Sequence, residues 1–453
     1  MPFDFYAVVV GSGFGASVVA YRLADAGKKV CVLERGKKYP PGSFPRSPRD
    51  VARNFWDPAS GLFGMFDLWS FRRFEALVSS GLGGGSLIYA NVLIRKDPNW
   101  FVDEEPGGCR PWPISYDDLA THYKAVEEML GAQRYPFDHL PYSQTPKTIA
   151  MREAAQKRGL DWYLPKLAVT FGNPHADPVP GVQIVEEPPA MYGLPRDTCR
   201  LCGECDVGCN YGSKNTLDFN YLSQSKKRGA DIRTLAEVRR FERWEGGYRI
   251  DYVDHSADAE AARPTKKRDE QKHVTVTAEK LVLGAGTFGS TYLLLRNRSA
   301  FPNISPALGT RFSGNGDILS FLHQARRHVG GKSVPRWLNP GFGPVITSAI
   351  RVGDRLDGCG EEGRGLHRGW RRSAVPQLAR RKQRCVRRRA TCGDVRIAAR
   401  TGSRTRGSTE QRQRGRRPPV RRRTEIFHLA SGARHGSRRP RRPDGAQARR
   451  SRS

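Results

Sequence analysis

Residues 5–10, Phe-Tyr-Ala-Val-Val-Val, form an unbroken apolar run that ends at Gly11. No polar position marks a solvent face, so the run predicts a strand buried on both sides, as in a parallel sheet. Ala16 to Ala26 predicts a helix, and Gly27 stands in the C′ position that closes one. Val30 to Leu33 predicts a second buried strand, which completes a βαβ start. The pattern returns at Lys280 to Leu283, with a helix expected from Gly286 to Asn297. Residues 113–160 read as helical, with Ser115 as N-cap and Asp117 and Asp118 in the first turn. Residues 253–273 are polar and read as an exposed loop. Residues 40–75 mix Pro, Gly and aromatics, and predict a long excursion over a ligand rather than a regular element. After about Arg351 neither period 2 nor period 3.6 can be followed, and no internal repeat is found.

Charge divides the chain at the same place. The 453 residues carry a formal net charge of +32, which spread evenly would suggest a nucleic-acid binder. Residues 351–453 alone hold 32 basic residues, 31 of them Arg, against 8 acidic ones. The body therefore has ordinary charge and no charge reason to bind nucleic acid. Asp4 stands where a signal peptide would be basic, and the apolar run from Tyr6 to Ala20 is broken by Gly and Ser. No stretch is long and apolar enough for a membrane span. These features predict a cytoplasmic protein, with peripheral membrane contact still compatible.

Three glycine segments carry the chemistry. Gly11-Ser12-Gly13-Phe14-Gly15-Ala16 joins the first strand to the first helix. Gly11 permits the tight turn, Gly13 lets the backbone approach a pyrophosphate, and Ala16 takes the small position where helix and strand pack. Free N–H groups at the positive helix end would meet the phosphates. Glu34, at the end of the second strand, can accept hydrogen bonds from ribose hydroxyls. The order strand, glycines, helix, acid predicts dinucleotide binding over a merely structural turn. The second segment, Gly83-Gly84-Gly85-Ser86 running on to Asn91, reads as a further cofactor contact rather than a linker, because an apolar run follows it. The third, Gly284-Ala285-Gly286, is again strand, glycine turn, helix.

Together these segments resemble the glucose–methanol–choline (GMC) oxidoreductase family, and more closely its bacterial cholesterol-oxidase-like branch. The resemblance covers about residues 4–365 and includes Glu34-Arg35-Gly36, Gly83 to Asn91, Gly284 to Leu295 and Leu308 to Asp317. It implies an α/β fold: a Rossmann-like FAD-binding domain with an inserted, here incomplete, α+β substrate domain. It implies FAD as cofactor, held by Gly11, Gly13, Phe14, Gly15 and Glu34, with the Gly83–Asn91 segment near the flavin. Val238 would border the adenine, and Gly284 and Ala285 would complete the site. The activity implied is removal of hydride from the C–OH of a bulky apolar alcohol, 3β-hydroxysteroids in the sterol-acting branch. Oxygen or an electron carrier would accept the electrons. The division expected is 1–110, the N-terminal part of the FAD domain; 111–200, a helical substrate-side insertion; 199–320, a cysteine cluster and return to the FAD domain; 321–365, the start of the substrate domain; and 366–453, an Arg-rich tail. The aromatic residues Phe55, Trp56, Phe63, Met65, Phe66, Trp69, Phe71 and Phe74 fit either a lid over an apolar substrate or a local core.

Cys199, Cys202, Cys205 and Cys209 have the spacing of the bacterial ferredoxin iron–sulfur run, but Asn210 replaces the Pro that follows it. Three readings stand: an iron–sulfur cluster, a structural knot of reduced or disulfide-bonded cysteines, or zinc.

The tail has two readings, a basic nucleic-acid arm or sequence read out of frame. Lys382 is its only Lys, where arms usually mix Lys with Arg. The family's continuation after Gly365, something like Phe-Tyr-Ile-Glu-Asp, has codons that encode Leu-His-Arg-Gly when regrouped. Leu366-His367-Arg368-Gly369 stands there. A frame disruption near Gly365 followed by disordered chain is the favoured expectation. It removes the C-terminal portion that in the family carries the catalytic histidine. His428 and His435 receive no role, and no catalytic residue is assigned.

Overall fold

The structure, a computed structural model, describes residues 2–72, 74–105, 108–186, 191–265, 271–314, 320 and 322–353. All of them lie in one compact unit, Met1–Thr401. The Arg-rich tail and the expected frame disruption at Gly365 lie outside the described residues.

The predicted βαβ start is present: β1 (Phe5–Val10), α1 (Phe14–Asp25) and β2 (Val30–Leu33). They belong to a six-stranded sheet in the order Asp231–Arg233, β2, β1, His273–Leu283, Gly247–Asp254, Ala236–Trp244. The first four strands run parallel, Gly247–Asp254 joins antiparallel to them, and Ala236–Trp244 pairs antiparallel to Gly247–Asp254. β1 is buried on both faces, as its unbroken apolar run predicts. Val8 and Val10 enter a core cluster with Leu33, Phe241 and Ile250, while Val9 packs with Ala16, Ala20 and Ala24 of α1. Those alanines give α1 a small-residue face, so it can sit close to the sheet. Gly27 takes a left-handed conformation, φ +69°, and closes the helix as expected.

Three sequence expectations need correction. Residues 40–75 are not an irregular excursion. They contain a helix, Pro48–Arg53, capped by Ser47, and the short pair Trp56–Asp57 with Leu62–Phe63. The strand Phe66–Ser70 then pairs with Glu75–Ser79. Pro and Gly in that stretch mark turns between short elements. Residues 113–160 form two helices, Tyr116–Met129 and Pro146–Arg158. Gly131, at φ +55°, ends the first, and Pro136 and Pro141 prevent helix between them. Ser115 caps the first helix as predicted, in a reciprocal pair with Asp118. Residues 253–273 are not a plain loop: Ser256–Glu260 is helical, and the following strand begins at His273.

Glu127 fastens the helix Tyr116–Met129 to the small sheet formed by Val92–Leu93, Lys166–Leu167 and Gln133–Arg134. Its carboxylate takes two bonds from Arg95, at 2.7 and 2.8 Å, and one from Lys166 at 2.7 Å. The Arg95 bonds pull the acid down to about 2, against the opposing effect of burial. A carboxyl held below its unfolded value adds stability at neutral pH, and that stability is lost as pH falls through the folded value. Acid unfolding followed by circular dichroism should therefore show a component between about pH 4.5 and 2. Glu127→Gln should remove that component, and should cost roughly 1–2 kcal/mol at pH 7, because Arg95 and Lys166 are partly exposed and water screens the charges left unpaired.

Candidate functional site

The carboxyl ends of the parallel strands fall in line. Val10 pairs with Leu33 on one side and Leu283 on the other. The three predicted residues that follow, Gly11, Glu34 and Gly284, therefore stand side by side. The Gly11 amide donates to Leu33 O, and the Gly284 amide to Val10 O, both at 2.8 Å. This crevice beyond the strand ends is where open α/β sheets bind ligands.

The glycines divide by what surrounds them. At Gly11, φ is +97°, and a Cβ would lie 2.5 Å from Gly284 O. At Gly284 a Cβ would lie 2.5 Å from Ala16 Cβ, so the close approach foreseen for Ala16 is made against this glycine. These two are required by packing. At Gly13, Gly15 and Gly85, by contrast, a Cβ would meet no atom within 4 Å. Gly13 begins α1, whose N-terminus has no side-chain cap and no acid in its first turn. Nothing in the helix's own first turn therefore neutralises its positive end. Phe14 is partly exposed and meets Tyr89 edge-on, with ring centroids 5.3 Å apart.

Glu34 is almost fully buried, and burial pushes its carboxyl pKa up. Bonds from the Ser12 hydroxyl at 2.6 Å and the Gly36 amide at 2.9 Å oppose that shift, as does the Arg35 charge. Each carboxylate oxygen retains a lone pair for a further donor such as a ribose hydroxyl. The Ser12 hydroxyl also accepts the Gly83 amide at 3.0 Å. It ties the first glycine loop to the second, a role that position within Gly-x-Gly does not reveal. Ser12→Ala would leave Gly83 N–H and one Glu34 oxygen unpaired. A loss of roughly 1–3 kcal/mol in stability is expected, read by denaturant unfolding.

The second segment turns through a 3₁₀ helix, Gly84–Leu87, after Gly83 at φ +106°. A Cβ on Gly84 would lie 2.8 Å from Gly13 Cα, so the two glycine loops touch backbone to backbone. Ser86 donates to Gly83 O at 2.8 Å and accepts from the Leu217 amide at 3.1 Å. Asn91 is fully buried at φ +61°, and its side chain hydrogen-bonds the Cys205 thiol, which leaves one end of its amide without a partner among the described residues. Such a group calls for an outside partner. Val238 is buried in the sheet core with Val10 and Leu33. The chain just before it pairs with the acid, the Ala236 amide donating to Glu34 O at 2.9 Å. Ala285 opens the helix Gly286–Arg296, its amide held by the Ser290 hydroxyl at 3.1 Å.

The aromatic stretch separates into the two arrangements that the sequence leaves open. Met65 and Phe66 are buried with Tyr39, Phe44 and Leu87. Trp69 instead stacks on Phe288, Phe71 and Phe74 meet Phe288 tilted, and Phe74 stacks on Phe312 with planes 2° apart. These rings remain partly exposed on the hairpin Phe66–Ser70 and Glu75–Ser79.

The four cysteines at 199, 202, 205 and 209 line one small cavity, and all are free thiols. The disulfide reading is therefore corrected. Among the described residues no group of three or more His, Cys, Asp or Glu stands so as to hold a single metal ion, which tells against zinc and gives no support to an iron–sulfur cluster. Burial pushes the Cys202 thiol up to about 11 and raises Cys199 and Cys205 too. Lys214 is buried beside them. Burial drives its ammonium down to about 8, against the opposing influence of Cys205.

The residues present fit FAD. Three glycines border unfilled space, an uncapped helix end stands beside them, and a buried acid with spare lone pairs closes the crevice. Among the described residues no helix is long and apolar enough to cross a membrane.

Comparison with known proteins agrees with this geometry. The sequence pattern described as GMC oxidoreductase matches residues 193–314, and that of an NAD(P)-binding Rossmann-like domain matches residues 9–47. The chain is 31% identical over 320 residues to a cholesterol oxidase of Mycobacterium tuberculosis, covering 70% of this chain and 52% of that one. It is 27% identical to a cholesterol oxidase of Acinetobacter baumannii, covering 70% and 55%. It is also 27% identical to the long-chain-alcohol oxidase FAO4B of Arabidopsis thaliana, covering 52% and 26%. The chain spans about half the length of the two cholesterol oxidases it matches.

Proposed function

The chain belongs to the GMC oxidoreductase family, in its cholesterol-oxidase-like branch, and from that premise we propose that it is an FAD-dependent oxidoreductase of bulky apolar alcohols, with 3β-hydroxysteroids as the preferred class. The observation that carries the reading is the crevice at the ends of β1, β2 and His273–Leu283, where Gly13 borders open space and Glu34 is buried. Similarity to two cholesterol oxidases supports the steroid class over the long-chain alcohols of the plant relative.

In this reading the α1 N-terminus and Gly13 hold the pyrophosphate, Glu34 orients the ribose, and Ser12 fixes Glu34. The Gly83–Asn91 segment lies beside the flavin, where Asn91 supplies the buried polar group. Val238 borders the adenine, and Gly284 and Ala285 close the far side. Bound FAD supplies the hydride acceptor. The rings of Trp69, Phe71, Phe74, Phe288 and Phe312 offer an apolar surface for a flat polycyclic substrate. Oxygen or an electron carrier takes the electrons onward.

The frame disruption near Gly365 belongs to the same proposal, supported by the out-of-phase match at Leu366 to Gly369. It makes the chain as written a flavin binder with weak or no turnover. The test of substrate class is anaerobic flavin bleaching by a 3β-hydroxysteroid and by a long-chain primary alcohol, on a version with the frame restored. Faster bleaching by the sterol supports the reading, and faster bleaching by the straight-chain alcohol refutes the steroid assignment.

A further inference from the structure

The flavin reading leaves the cysteine run without a role. All four cysteines, the last included, line a common cavity. The backbone wraps the sulfurs closely. The Leu201 amide donates to the Cys199 sulfur, the Glu204 amide to Cys202, and the Val345 amide to Cys205. These turns require left-handed backbone at Leu201, Gly203 and Gly208, with φ of +61°, +73° and +87°. Leu201 is a buried residue with a Cβ, and such a conformation is unusual for it. Amides aimed at sulfur stabilise thiolates far more than neutral thiols.

The charges around the cavity point the same way. Lys214 Nζ donates to the carbonyls of Leu87, Tyr89 and Cys205 at 3.2, 2.6 and 2.9 Å. Lys147 Nζ donates to those of Gly343 and Pro344 at 3.2 and 2.6 Å. Both ammonium groups act electrostatically on the cysteines. Asp206 acts on both lysines, and Asp218 acts on Lys214. Lys214 is buried and Lys147 half-buried, and a buried cation needs an anion beside it. Four thiolates around an oxidised cubane core carry about two net negative charges, which these cations would balance.

Size separates iron–sulfur from zinc. A zinc ion binds thiolates at about 2.3 Å and draws them into contact with one another. The sulfurs here share a cavity without forming a single-ion site. A cubane holds its thiolates on separate iron corners, further apart. We propose that Cys199, Cys202, Cys205 and Cys209 together ligate one cubane iron–sulfur cluster, with the Lys147 and Lys214 ammonium groups balancing its charge. Through Lys214 the cluster would adjoin the segment containing Leu87 and Tyr89, next to the flavin of the proposed function.

The test uses the full chain, purified without oxygen and then reconstituted with ferrous iron and sulfide. Iron, acid-labile sulfide, zinc and FAD are measured on the same sample, so failure of the cluster is distinguishable from failure of the flavin site. About four irons and four sulfides per chain are expected, with an electron paramagnetic resonance signal after dithionite reduction. Cys202→Ser combined with Cys209→Ser should lower iron at least tenfold with FAD content unchanged. Cys31→Ala, in β2 and outside the cavity, should leave iron at the unsubstituted level. Bound zinc in place of iron, no retained iron or sulfide in the unsubstituted chain, or full iron in the double variant would each overturn the proposal.

Discussion

Gly13→Val is expected to strip the protein of FAD while leaving it folded. A Cβ at this position meets no protein atom within 4 Å, so the apoprotein has room where the side chain begins. That same room is where the pyrophosphate must approach the backbone. The dissociation constant for FAD should rise at least ~100-fold, about 2.7 kcal/mol, with little change in unfolding temperature. Gly11→Ala makes the contrast. Its Cβ would lie 2.5 Å from the Gly284 carbonyl oxygen, on backbone at φ +97°. Neither can yield cheaply, so stability should fall by roughly 3 kcal/mol. Fluorescence of released flavin and thermal unfolding separate the two effects. Full flavin occupancy in Gly13→Val would remove this crevice as the cofactor site.

Restoring the reading frame near codon 365 is expected to raise turnover of a 3β-hydroxysteroid by a factor of about 10²–10⁴. Oxidising an alcohol requires a base for the hydroxyl proton as the C–H bond breaks, and a placed histidine typically contributes a factor of that size. On the proposed reading, Arg-rich sequence replaces the portion that carries the base. One inserted or deleted base should open a longer frame containing a segment like His-Pro-Leu-Gly. Peroxide release and steroid consumption, measured on both versions, give the ratio. Equal turnover would show that the chain as written keeps its catalytic base.

Much of the candidate site was legible from local pattern. β1, α1, β2 and the helix Gly286–Arg296 stand where the apolar runs place them. The Ser115 cap and the Gly27 stop are present as well. Each of these is decided within a few residues, by side-chain periodicity, a cap or a glycine conformation. The place of Gly11, Glu34 and Gly284 was legible for a related reason. Parallel strands of matched length bring their carboxyl ends into line.

The rest depended on partners far away in sequence. Nothing near Ser12 announces that its hydroxyl joins Glu34 to Gly83, 71 residues on. Lys214 reads as an ordinary surface lysine until folding closes Leu87, Tyr89 and Cys205 around its ammonium group. The aromatic stretch could be lid or core, because one composition suits both. The sheet decided it ring by ring, burying Met65 and Phe66 and leaving Trp69 against Phe288. The cysteine spacing suggested a shared ligand, but only the fold brought all four cysteines to one cavity beside the buried ammonium group of Lys214. Local propensity acts over a turn or a strand, so it determined the elements and their glycine junctions. Desolvation and pairing act between surfaces that meet only when the chain closes, so tertiary structure alone decided which polar groups share a site.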